Sequence, residues 1–331
     1  MRDFASPAAG PAPFCFPRAL VTVVLASVIS GCRDNAVPPG PSGPTLELRE
    51  LYSIPVPDSF QPTGATILSP DTILAWSSDA DHLLLASHTN VRPFAEAVVQ
   101  RPLAVGFAGR DRRLEVVDLA KRAIVELSRD GTAIAVHSLQ SVFESIEVET
   151  AARDRRGWYL GGPDESGTYH VIFCDAGDDT RRAVSLGRKL EDERPISGYL
   201  SPEDSSVLLS LLRWPFEVVR VDSRGRPPIR FRPELPPKFA EALGLVEVGR
   251  NWIGQRAIPL DTGILHGIAD LRSDRRVLIR YAEQGHTAAY RTLDVPVGMV
   301  ASLPEARLLL AARNLGHLEF VLYSWHWVGR S

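Results

Sequence analysis

Cysteine, methionine and lysine are scarce in this chain of 331 residues, which holds three, two and three of them. Cys15, Cys32 and Cys174 are too few for a disulfide framework, and none stands with histidine at structural-zinc spacing. The shortage of lysine is not a shortage of positive charge. Lys and Arg together number 37 against 40 Asp and Glu, a formal net charge of −3. Without a basic excess, no nucleic-acid partner is expected. Several chemical motifs are missing as well: there is no P-loop, no dinucleotide fingerprint and no Gly-x-Ser-x-Gly elbow. The acidic run Asp175–Asp179 lacks the closing Glu of an EF-hand and reads as a hairpin tip. No cofactor is implied.

What the N-terminus does hold is an address. Arg18 precedes the apolar run Ala19–Ser30, whose twelve residues fall short of the about 20 needed to span a membrane but suit an export signal. The run closes on Ile29-Ser30-Gly31-Cys32, small residues before a cysteine. This motif resembles the lipobox of bacterial lipoproteins. The resemblance implies a signal peptide over 1–31, cleavage before Cys32, and lipid on that cysteine as the membrane anchor. Two or three acyl chains anchor stably where one does not. Arg33 stands where an Asp would favour the inner membrane in enterobacterial lipoproteins, which points to the outer membrane and a periplasm-facing envelope protein. Residues 32–44 then carry Pro38, Pro39, Gly40, Pro41, Gly43 and Pro44, the composition of a tether. Extended at ~3.1 Å per residue, the twelve residues after Cys32 reach roughly 40 Å. With Cys15 removed and Cys32 lipidated, Cys174 has no intrachain disulfide partner.

The body, 45–331, is repetitive. One series places a strand ahead of a tight turn at Asn90, Gly131, Gly177, Gly225, Gly285 and Gly329, positions 41 to 60 residues apart. Gly and Asn tolerate the positive φ of such turns. A second series opens units with proline: Pro62-Thr63-Gly64, Pro102–Gly106, Pro195–Gly198 and Pro296–Gly298. Proline is harmless at a strand entry. A third marks the next turn, as in Ser69-Pro70-Asp71, Asp111-Arg112-Arg113, Asp154-Arg155-Arg156, Ser201-Pro202-Glu203 and Leu303-Pro304-Glu305. Six units of about 45 residues with four short strands each describe an all-β, six-bladed β-propeller. The chain ends three strands into the last unit. Leu46–Tyr52 reads as the missing strand, so the last blade is closed by an N-terminal strand. An open stack of β-sandwiches or two smaller β-domains would be the alternative, and neither requires the register to persist.

On the Pro-x-x-Gly entries and the strand–Asp-x-Gly turns, residues 45–331 resemble the NHL and TolB-like six-bladed propellers of exported bacterial lipoproteins. Units three and five lack the Pro entry. The 60-residue gap holds an insertion near 233–250, with a helix predicted over Lys238–Leu245 that puts Phe239, Ala242 and Leu243 on one face.

Chemistry is harder to find. Glu147, Asn251 and Asp270 could be set in the role that Glu, Asn and Asp play in lactonase-type propellers, but their spacing is not diagnostic. The eight histidines repeat at no unit position. His266, inside the apolar Ile264–Ile268, reads either as a ligand-facing group or as a hydrogen-bonded core histidine. Cys174, in Val171–Cys174, reads as core. Trp325 and Trp327 share one strand face and read as blade packing. The stronger signal is arginine ahead of inner strands: Arg101, Arg194, and Arg250-Asn251-Trp252. Loops into inner strands meet at one end of a propeller, where these residues could bind a carboxylate, phosphate or sugar. Two function classes follow. One is a monomeric binding or scaffold module for a protein, peptide or glycan. The other is an exported propeller-type hydrolase or lyase with its active site at the channel mouth. The lack of an acid–base or metal constellation favours the first.

Overall fold

The computed structural model describes residues 45–331 apart from 109–112, 176–180, 188–194, 214–215, 243–251, 262, 272–274, 283–286, 295–296 and 329–331. The expected signal peptide, lipid attachment and tether lie outside the described residues. Strand β1 (Thr45–Pro55) comes first. Blade 1 follows as β2 (Gly64–Ser69), β3 (Thr72–Trp76), β4 (Leu83–Ser87) and β5 (Val91–Phe94). Blade 2 is β6 (Pro102–Ala108), β7 (Arg113–Asp118), β8 (Ala123–Leu127) and β9 (Ala133–Ser138), and a short helix α1 (Gln140–Phe143) leads out of it. Blade 3 is β10 (Thr150–Arg153), β11 (Gly157–Pro163), β12 (Tyr169–Asp175) and β13 (Arg181–Gly187). Blade 4 holds β14 (Gly198–Pro202), β15 (Ser206–Leu211), β16 (Val218–Asp222) and β17 (Ile229–Phe231), with α2 (Pro237–Ala242) beyond it. Blade 5 is β18 (Trp252–Leu260), β19 (Gly263–Asp270), β20 (Arg275–Tyr281) and β21 (Thr287–Asp294). Blade 6 has β22 (Val297–Leu303), β23 (Leu308–Asn314) and β24 (Leu318–Val328), and takes β1 as its fourth strand.

Each blade is a four-stranded antiparallel sheet with strands in sequence order, apart from the last. Second and third strands are apolar on both faces because a neighbouring blade covers each face. Leu208, Leu209, Ile124 and Val125 are fully or almost fully buried for that reason. The core accordingly divides into six clusters, one between each pair of adjacent blades, including blades 6 and 1. The first strands touch in the cycle β2, β6, β10, β14, β18, β22 and back to β2, which makes a closed six-bladed β-propeller.

The turns explain why aspartate recurs. The Asp118 carboxylate accepts from the backbone N–H groups of Gln100, Ala120 and Lys121 at 2.8, 2.9 and 3.1 Å, fixing both the β7–β8 turn and the entry to β6. Asp154 does the same for Arg156 and Gly157 at 2.7 and 2.9 Å. Blades 2 and 3 are also joined by charge. Arg153 donates from Nε to Glu115 at 2.7 Å, Trp158 donates to the same oxygen at 2.6 Å, and all three side chains are buried. The arginine crosses directly over Gly106, where a Cβ would lie 2.5 Å from Arg153 Cβ.

Closure goes further than Leu46–Tyr52. Thr45–Glu50 and Tyr52–Pro55 pair with β24, from Thr45 opposite Val328 to Pro55 opposite Glu319, with Leu51 bulged out between them. Three contacts pin it. Arg313 binds Glu50 through two bonds of 2.9 and 3.2 Å and Glu319 at 2.6 Å. Tyr52 donates to the Pro70 carbonyl of blade 1 at 2.5 Å, and Ile54 is buried between blades 6 and 1. The insertion helix spans Pro237–Ala242, with Ala240 in the core between blades 4 and 5; Leu243–Leu245 lie outside the described residues. Trp325 and Trp327 pack in the core between blades 5 and 6, and Cys174 lies buried between blades 2 and 3.

A truncation starting at Pro57 removes the closing strand and exposes the β24 edge, so it should melt well below a truncation starting at Thr45 or should aggregate. Thermal denaturation of the two checks this, and equal melting temperatures would contradict closure.

Candidate functional site: the channel and its entry mouth

All six first strands run the same way around the channel, so the residues just before them gather at one mouth. Thr63, Arg101, Glu149 and Ser197 stand there, ahead of β2, β6, β10 and β14. Arg101 is exposed and donates from Nε to the Ser78 carbonyl, in the β3–β4 turn, at 3.4 Å. Its backbone N–H is held by Asp118 at 3.4 Å, so the turn aspartate of blade 2 also sets the rim. Glu149 keeps solvent contact and accepts from Ser197 Oγ at 3.4 Å. Its carboxyl is raised above the usual carboxylate range, first by the surrounding protein and then by the charge of Glu147, with Ser197 opposing.

The other sequence candidates divide. Arg194, Arg250 and Asn251 lie outside the described residues. Trp252 is placed in the core between blades 4 and 5, with only 3% of its surface exposed, and does not line the mouth. His266 is fully buried on β19, opposite Ala257, and stacks on Tyr281 with ring centroids 6.2 Å apart. It is a core histidine: among the described residues neither ring nitrogen has a hydrogen bond of good geometry, and the Gln255 backbone is its polar neighbour. Burial pushes its pKa down to about 3, against a smaller opposing influence from the Gln255 backbone. Glu147 and Asp270 stand on blades 3 and 5. Among the described residues no group of three or more His, Cys, Asp or Glu could hold a metal ion.

Sequence reasoning missed the residue that reaches across the channel. In β18 two residues, Gln255 and Arg256, oppose the single Gly267 of β19, because pairing passes from Gly254–Ile268 directly to Ala257–His266. Such a bulge re-aims the side chains it carries. A Cβ on Gly267 would lie 2.3 Å from the Gln255 side-chain oxygen, so glycine leaves the space that this side chain occupies. Arg256 donates from Nη1 to the Leu200 carbonyl of blade 4 at 3.0 Å. From Nη2 it donates to the Thr63 carbonyl, at the entry to blade 1, at 3.4 Å. Blade 6 separates blades 5 and 1 around the ring, so a side chain joining them crosses the central space. The guanidinium also lies over the Tyr199 ring, 5.1 Å from its centroid. A signal for this existed: Gln255-Arg256 is an adjacent polar pair inside an otherwise apolar strand.

No family model matches the chain, and no curated protein matches it. Solved structures do. A Bacteroides fragilis protein inferred to be exported aligns at a TM-score of 0.53 and 9% identity, over 84% of this chain and 94% of that one. Virginiamycin B lyase from Staphylococcus aureus gives 0.47 and 9%, over 83% and 88%. The WD40 repeats of RRP9 give 0.49 and 10%, over 83% and 81%. At these identities the likeness is one of fold. Among the described residues no helix is long and apolar enough to cross a membrane.

The buried imidazole makes a prediction. Its folded pKa lies below the unfolded value of 6.5, so the unfolded chain binds the extra proton between pH 6.5 and about 3. The stabilising difference is present above pH 6.5 and is lost as pH falls towards 3. From pH 7 to pH 5 this group should cost roughly 2 kcal/mol of stability, at ~1.4 kcal/mol per pKa unit. Urea unfolding of His266→Leu should show a loss smaller by that amount. An identical pH dependence in both proteins would contradict a neutral, buried His266.

Proposed function

We propose that this chain is a cell-envelope lipoprotein, anchored in the outer membrane through lipid on Cys32. Its monomeric propeller, of the NHL or TolB-like kind, binds a protein, peptide or glycan at the entry mouth of its channel. The observation that carries the binding reading is the convergence at one mouth of exposed Arg101, the Glu149–Ser197 pair and, within the channel, Arg256. Polar groups carried by loops at one end of a rigid scaffold are a usual form of a recognition site. The anchoring part rests on the Ile29–Cys32 motif and the Pro/Gly-rich stretch after it.

A second reading, an exported hydrolase or lyase, rests on Glu149. A carboxyl that holds its proton to higher pH at a channel mouth is suited to general acid chemistry.

Two experiments test the proposal. Labelled palmitate should enter the parent protein and not Cys32→Ser, and equal labelling would sink the anchor. A photo-crosslinking residue at position 101 should give adducts of defined mass in cells. The same residue at Asp71, in the β2–β3 turn at the other end of the channel, should give none. Equal yields from both, or none from either, would overturn binding at the entry mouth.

A further inference from the structure

Arginine carries five N–H donors and keeps its charge at any ordinary pH. Arg256 uses two of them, on the Leu200 and Thr63 carbonyls. Among the described residues no carboxylate stands within ion-pair distance of it, whereas Arg153 has Glu115, Arg220 has Glu203, Arg230 has Glu217 and Arg313 has Glu50 and Glu319. The contrast is chemical. These four arginines, between or across the strands of the blades, are each neutralised by a built-in acid, and among the described residues the one that crosses the channel is not. Burial holds its pKa below the ordinary arginine value, with Tyr199 as the opposing influence. A cation withdrawn from water without a counter-charge is costly, and a folded ring would not keep it for stability alone.

Arg256 is only partly exposed, and the Leu200 and Thr63 carbonyls hold its guanidinium across the channel from blades 4 and 1. The bulge at Gln255–Arg256 fixes its aim, and the Tyr199 ring supports one face. We infer that Arg256 is the seat of a binding site inside the channel for the carboxylate of a ligand entering by the mouth at Thr63. The charge of the site selects among anions. It offers a single positive charge flanked by two carbonyl oxygens, which suits a singly charged, planar carboxylate that takes two parallel N–H bonds and disfavours a phosphate dianion. The carboxylate can come from a small acid or from the free end or acidic side chain of a peptide. This inference rests on the entry mouth being the binding face, and names the chemistry recognised there.

The test uses the purified propeller, residues 33–331, at constant ionic strength. Ligand-observed NMR and thermal denaturation are followed with four probes: acetate, inorganic phosphate, an N-acetylated tripeptide with a free C-terminal carboxylate, and the same peptide amidated. Acetate and the free-carboxylate peptide should bind and raise the melting temperature, and the amidated peptide should not. Preference for the peptide over acetate would indicate a peptide source, and equal affinity a small acid. Arg256→Gln should lower carboxylate affinity at least tenfold while melting within about 2 °C of the parent in chloride. Arg256→Lys, which keeps the charge but not the planar fork, should fall between the two. No carboxylate binding, tighter binding of phosphate, undiminished binding by Arg256→Gln, or a large loss of stability in that variant without ligand would each overturn the site. The last result would make Arg256 a clamp between blades. Carboxylate binding without any crosslink at position 101 would remove the proposed partner and leave the site standing. Crosslinks without carboxylate binding would do the reverse.

Discussion

Everything in this molecule depends on the pairing of its first strand with its last. A propeller is held by face-to-face contacts between neighbouring sheets, and each is worth its apolar area only while the ring stays shut. With β1 bonded along β24 and Ile54 buried between blades 6 and 1, the sixth core is as complete as the other five. The Glu50–Arg313–Glu319 group adds charge to that seam across three strands. Because Tyr52 reaches Pro70, the closing strand also ties blade 6 to blade 1.

Closure has a chemical consequence at the axis. First strands leave backbone groups unpaired on the channel side, and an unpaired buried carbonyl or amide is expensive. Neighbouring blades supply the partners: Thr150 Oγ1 accepts from the Leu200 N–H, Ser210 Oγ from the Ala257 N–H, and Ser302 Oγ donates to the Pro259 carbonyl. Arg256 belongs to this set through the Leu200 carbonyl, but it alone brings a full charge. The feature that completes the edge therefore also places a positive charge in the channel.

Architecture was legible in the sequence because it repeats. The turns at Asn90, Gly131 and Gly225 join third to fourth strands, as the first series required, and Gly131 and Gly225 have φ of 89° and 71°. Pro102 begins β6, and Pro62 and Pro195 stand shortly ahead of β2 and β14; Pro296 lies outside the described residues. Short α1 gave no warning, since Gln140–Phe143 is too brief for a helical period to show. The site was less legible, for a physical reason. Arg101 could be placed at the mouth because position before an inner strand decides it. Trp252 could not, because which face of a strand a side chain takes depends on register, and register turned it into the core. Arg256 was hidden in a strand where only a bulge turns it into the channel. The buried Glu115–Arg153 pair joins residues 38 apart, a separation that carries no local pattern.

The closing strand β1 is part of one cooperative ring rather than an arm laid against it. Native-state hydrogen exchange at the β1 amides, compared with those of a central strand such as β15, tests it most directly. Amides near Tyr52 and Ile54 should exchange only through global unfolding, with the same opening free energy and denaturant dependence as those near Leu208. Exchange of β1 by local fraying, several kcal/mol below the global value while β15 stays protected, would contradict it.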